Sequence, residues 1–101
     1  MKKESAYSSV GLNPNYLIHD LKTIRAYFQA AWSGVKRFEM RKNDRLYKCG
    51  DMVKLREYNL SDGSYSGREV HCRITYILRN YGELKDYVIF SFDMIELIGS
   101  V

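Results

Sequence analysis

Proline is nearly absent. Pro14 is the only one in 101 residues, and it falls in a polar opening stretch, 1–15, that also holds Ser8-Ser9 and Gly11. We read that stretch as a loose arm ahead of a single domain spanning 16–101. Cysteine is scarce too. Cys49 and Cys72 form no CxxC, and with only two histidines beside them they lack the spacing of a zinc site. No metal and no cofactor is therefore expected, and the thiols suit a reduced, cytoplasmic setting. No run of about 18 apolar residues occurs, so no membrane-spanning helix is expected. The opening MKKESAYSSVGLNPN has two lysines but no apolar core, so we expect no secretory signal. Repeats and a second domain are also missing.

What is present is charge in one place. The net charge is +4. Between Lys36 and Lys48 lie six cations (Lys36, Arg37, Arg41, Lys42, Arg45, Lys48) against two acids (Glu39, Asp44), while the rest of the chain holds ten of each. The whole excess therefore sits in one short stretch. Such a focus suits a phosphate-bearing partner, although a solvated basic segment would read the same.

Hydrophobic residues make up 46% of the chain, enough for one modest core. Tyr16 to Leu21 reads as a short strand. Thr23 is a plausible helix N-cap, and Ile24, Tyr27, Phe28, Ala31 and Trp32 share one helical face. A helix over 24–33 is expected, with its aromatic residues in the core and Gly34 as its stop. The period then changes to two. Phe38 and Met40 point one way, and Arg37, Glu39 and Arg41 the other. Strands are expected over 52–58, 68–78 and 87–97. In the strand over 68–78, Val70, Cys72, Ile74, Tyr76 and Leu78 should face in, and His71, Arg73 and Thr75 out. Glu57 falls on an apolar strand face, so it needs a partner or lies at an opening. One early helix with short, mostly antiparallel strands implies an α+β domain built on a small curled sheet or partly closed barrel, since closure hides strand edges.

The order of motifs carries a resemblance. His19-Asp20-Leu21-Lys22, then Gly34-Val35-Lys36-Arg37-Phe38-Glu39-Met40-Arg41-Lys42-Asn43-Asp44-Arg45, then Cys49-Gly50-Asp51, Leu55-Arg56-Glu57-Tyr58 and Tyr65-Ser66-Gly67-Arg68 resemble the ASCH superfamily. More narrowly they are similar to its uncharacterised bacterial and phage branch reading HxLK…GxKxFExRKNDR, with Ser66 in place of a threonine. The resemblance covers about residues 16–97. It implies a PUA-like mixed or antiparallel β-barrel with a flanking helix, RNA binding, and in a few members hydrolysis of RNA or of a modified cytidine.

Glu39 and Arg41, two apart on a strand, leave the same face roughly 7 Å apart. The carboxylate can accept from an exocyclic amine such as cytosine N4, and the arginine can hold a phosphate. As a bare surface ion pair the two would contribute only about 0–1 kcal/mol. Lys36 lies on the wrong face of a regular strand, and joins Glu39 only from the turn after Gly34 or at a bulge; the resemblance implies that it does. Lys22, beside a helix start, adds charge where anions are already favoured. His19 can move a proton, donate to phosphate or stack on a base, or merely satisfy local hydrogen bonds. Tyr58 and Tyr65 are candidates for a stacking surface. Lys42 and Arg45 would track a phosphate backbone and supply salt-dependent affinity.

Three readings stay open. The favoured one is a binding module for RNA or a nucleotide, using His19, Lys22, Lys36, Glu39, Arg41, Lys42, Arg45 and Tyr58. The alternative is a small hydrolase, a ribonuclease or modified-cytidine amidohydrolase, with Lys22, Lys36 and Glu39 as its catalytic groups. The amidohydrolase pattern has a threonine where this chain has Glu39, which removes the expected nucleophile. The third is a protein-interaction domain.

Overall fold

A computed structural model describes residues 15–100. The expected arm lies almost wholly outside them. Among these residues, five strands and one α-helix follow in the order β1 (Ile18–Ile24), α1 (Arg25–Trp32), β2 (Phe38–Lys42), β3 (Met52–Asn59), β4 (Ser64–Arg79) and β5 (Tyr87–Ile98), with a single 3-10 turn, Gly82–Leu84, between the last two strands. They build one curled sheet, a half-barrel, with strand order β1-β3-β4-β5-β2. The expected α+β class and curled sheet are therefore present. The sheet is mixed. β1 and β3 run parallel, joined through α1 and β2, and the other neighbours are antiparallel. Among the described residues, no helix is long and apolar enough to cross a membrane.

The helix stops where its sequence says. Gly34 sits at φ +84°, Val35 N–H donates to Ala30 O and Gly34 N–H to Ala31 O. That pair of bonds is the Schellman arrangement, and it needs a residue tolerant of positive φ. The helix start differs from expectation. Its cap is Ile24, with no side-chain bond, and Thr23 belongs to β1, where its hydroxyl donates to Leu21 O. Strand passes into helix with no loop, so a threonine that looked like a cap is a buried strand residue.

The core fills the hollow of the sheet under α1. Leu21, Phe28, Ala31, Val53, Leu55, Val70, Cys72, Ile74, Val88, Phe90 and Phe92 all belong to it. Alternation places Val70, Cys72 and Ile74 of early β4 in the core as expected, and the mostly apolar stretch expected over 87–97 forms β5. Alternation fails later in β4, where the pairing with β5 shifts between Ile74 and Tyr76. Tyr76 turns outward, 65% exposed, and Ile77 packs against the core instead. A bulge inserts one residue and reverses the phase of all that follow. His71, expected outside, is buried, with its Nε2 2.7 Å from Glu69 Oε1, and a second register shift lies next to it. Tyr27, expected in the core, is 59% exposed.

Two buried carboxylates tie the elements together. Asp51 accepts from Leu17 N–H, Lys48 N–H and Lys48 Nζ, each at 3.0 Å, and lies 2.7 Å from His19 Nε2. Burial pushes its pKa up, but these bonds outweigh that and hold it below the usual value. Gly50 beside it has φ +94°, and a Cβ there would meet the Tyr16 ring at 2.7 Å. Glu57 has the partner its position demanded. Arg68 Nε donates to Oε1 at 2.9 Å and Nη2 to Oε2 at 3.0 Å, while the guanidinium lies over Trp32 and Phe28. This two-point bond lowers the Glu57 pKa against the opposing effect of burial, helped by Ser66.

Candidate functional site at the sheet seam

β1 and β2 are the two edges of the sheet. Where the curl brings them together, no backbone ladder joins them, and one side chain does so instead. Arg41 of β2 donates from Nη1 to Lys22 O and from Nη2 to Thr23 Oγ1, both at 3.1 Å on β1. Its Nε donates to Glu39 Oε1 at 2.9 Å. A cleft of about 540 Å³ opens along this seam, lined by Lys22, Thr23, Ile24 and Tyr27 on one side and Lys36, Phe38, Glu39, Met40 and Arg41 on the other.

Glu39 is the buried centre of the cleft, 4% exposed. It faces inward because β2 presents Phe38 and Met40 outward, at 50% and 49% exposure. This inverts the usual arrangement, in which apolar side chains are covered and the carboxylate wetted. Lys36 supplies the second clamp. The chain leaving Gly34 turns before β2 begins, so Lys36 escapes strand periodicity and its ammonium donates to Glu39 Oε2 and to Phe38 O. The condition set by its spacing is met by the turn rather than by a bulge. Arg41 does hold Glu39, but its fork is also committed to Lys22 O and Thr23, so it faces protein acceptors more than a phosphate. Lys22 stands at the rim with its ammonium 4.3 Å from the centre of the Tyr58 ring. Among the described residues it makes no ion pair within 4 Å.

The remaining candidates fall elsewhere. His19 is buried, bonded to Asp51 and set against the Tyr47 ring at 4.6 Å; it does not line the cleft and acts as a structural tie. Arg45 lines a separate surface groove of about 590 Å³ together with Lys48, Arg79, Asn43, Asp44, Leu46 and Tyr47. Lys42, at the end of β2, is exposed and lines neither. Tyr58 adjoins the rim through Lys22. Five lining residues were not among the expected site residues: Thr23, Ile24, Tyr27, Phe38 and Met40. Thr23 resembled a cap, and Tyr27 resembled core because it shares the spacing of Phe28 and Ala31. Chain-local pattern holds no signal that either faces β2.

Fold and site together define a small α+β half-barrel with a carboxylate clamped by two cations in a cleft between its edge strands. The chain belongs to a family described as a domain of unknown function (DUF3850), which it matches over residues 18–92. The match contains every residue lining the cleft. The chain is also similar to an uncharacterized 12.9 kDa protein in the GpA 3' region of Escherichia phage P2, at 40% identity over 72 residues. That alignment covers 71% of this chain and 64% of the phage protein, somewhat less than two thirds of the relative's length.

Proposed function

We propose that the seam cleft binds a nucleotide unit of RNA, in a PUA-like domain of the ASCH superfamily. Glu39 reads the base edge, Lys22 and Lys36 hold the phosphate, and Tyr27, Phe38 and Met40 cover the apolar faces. The observation that carries this reading is a buried carboxylate between two cations in a cleft walled by exposed aromatic and apolar side chains. A volume near 540 Å³ falls in the range of small-molecule sites, roughly 300–1,000 Å³. Glu39 has acceptor capacity left, since a carboxylate offers about four lone-pair sites and Lys36 and Arg41 use two. An exocyclic amine can therefore bond Glu39 without displacing either cation. Lys42, and Arg45, Lys48 and Arg79 of the separate groove, supply further positive charge outside the cleft.

The test is titration with nucleoside monophosphates and short RNA at two salt concentrations. Binding should weaken steeply with salt. Glu39→Gln should change base preference, and Lys42→Ala should weaken all sequences alike. Absence of binding at low salt removes the proposal. The hydrolase reading has one observation in its favour, the Lys36 ammonium held against Glu39 inside the cleft, an arrangement suited to proton transfer. Thr23 is not poised as its nucleophile, since its proton is directed to Leu21 O. Turnover of RNA or N4-acylated cytidine, abolished by Glu39→Gln, selects that reading instead.

A further inference from the structure

The rim of the cleft does not end at Lys22. On the outer face of the sheet, Lys22 of β1 is in register with Arg56 of β3, and Tyr58 of β3 pairs with Tyr65 of β4. The four side chains form a continuous strip. The Lys22 ammonium lies 4.3 Å from the Tyr58 ring centre, the Tyr58 and Tyr65 rings meet edge to face at 5.0 Å, and the Arg56 guanidinium lies 3.9 Å from the Tyr65 ring centre. Tyr65 remains 42% exposed. The core does not require these residues, for it lies on the opposite face of the same strands.

We infer that this strip is a stacking platform for bases next to the one in the cleft, so that the ligand is a single-stranded oligonucleotide rather than a free mononucleotide. The inference rests on the nucleotide reading of the cleft. Aromatic faces accept any base, and cations set among them attract the intervening phosphates. Cleft and platform share Lys22, which places one phosphate between the base in the cleft and the first base on the strip. The acids mark where the platform ends. Asp20 lies two residues further from the cleft along β1, and with Glu69 it flanks Arg56 at 3.8 and 3.6 Å.

The experiment compares a fluorescein-labelled single-stranded RNA hexamer with the matching nucleoside monophosphates at low salt, using wild type, Tyr65→Phe and Tyr65→Leu. Thermal denaturation confirms that both variants fold. The hexamer should bind wild type at least about tenfold more tightly than the monophosphate. Tyr65→Leu, which keeps bulk but loses the π face, should lose about tenfold for the hexamer and leave the monophosphate unchanged; Tyr65→Phe should match wild type. A hexamer no tighter than the monophosphate, or unaffected by Tyr65→Leu, overturns the platform and leaves the cleft reading standing. Failure of both ligands to bind overturns the cleft reading and the platform with it.

Discussion

Arg41→Ala tests the seam. The substitution removes one of the two cations facing Glu39, a carboxylate 4% exposed, and both bonds from β2 to β1. Breaking a buried ion pair by deleting one partner costs about 3–5 kcal/mol. Lys36 still faces Glu39, and the Arg41 side chain is itself 23% exposed, so the ion-pair share falls to about 2 kcal/mol. The two seam bonds add roughly 1 kcal/mol net, for a total near 3 kcal/mol. With an m-value of roughly 1–2 kcal/mol/M, the urea midpoint should drop by about 2 M. The Glu39→Gln/Arg41→Ala double variant should lose less than the sum of the singles, by about 1–2 kcal/mol, because neutralising Glu39 removes the uncompensated charge. A midpoint for Arg41→Ala within about 0.3 M of wild type, with no coupling in the cycle, would show that the arginine does not hold the seam between β1 and β2.

Acid should weaken the fold through Glu57 and Asp51. Both have folded pKa values below their unfolded ones, so the unfolded state binds more protons between the two; the stability they add is present above about pH 4–5 and is lost as pH falls through the folded values. Glu57→Gln should therefore flatten the fall in melting temperature between pH 7 and 3, and an unchanged slope would refute the assignment. Native alkylation followed by mass spectrometry should label Cys49 and spare Cys72, which is fully buried with a thiol pushed far up by desolvation; rapid labelling of both contradicts the burial. His19→Gln should lower stability by about 1–2 kcal/mol through Asp51 without altering ligand affinity, checked by urea melts and titration; an affinity loss at unchanged stability would return His19 to the site.

Much of the chain was legible from local pattern, and the departures share a cause. The helix and its stop at Gly34 followed from apolar spacing and one residue that tolerates positive φ. β5 followed from its mostly apolar content, and the inward Val70, Cys72 and Ile74 of β4 from alternation. Thr23, Tyr27 and Tyr76 did not. Thr23 and Tyr27 were read by spacing suited to a helix, yet what they face is β2. Tyr76 kept its place in the alternation of the sequence, but an extra residue upstream turned the strand over. His71 was moved inward on the same strand, next to another shift.

The pairing of Glu39 with Arg41 was visible in the sequence, because side chains two apart on any strand share a face whatever surrounds them. The concentration of positive charge and the demand of Glu57 for a partner were visible for a similar reason: each depends on residue type and on nearest neighbours along the chain. The cleft itself was decided by tertiary structure. It exists because the sheet curls until its two edges meet, and it is closed by a bond between residues 18 positions apart. It is completed by Lys36 from a turn that breaks the strand period. Separation along the chain and changes of phase are set by packing, and no local pattern encodes either.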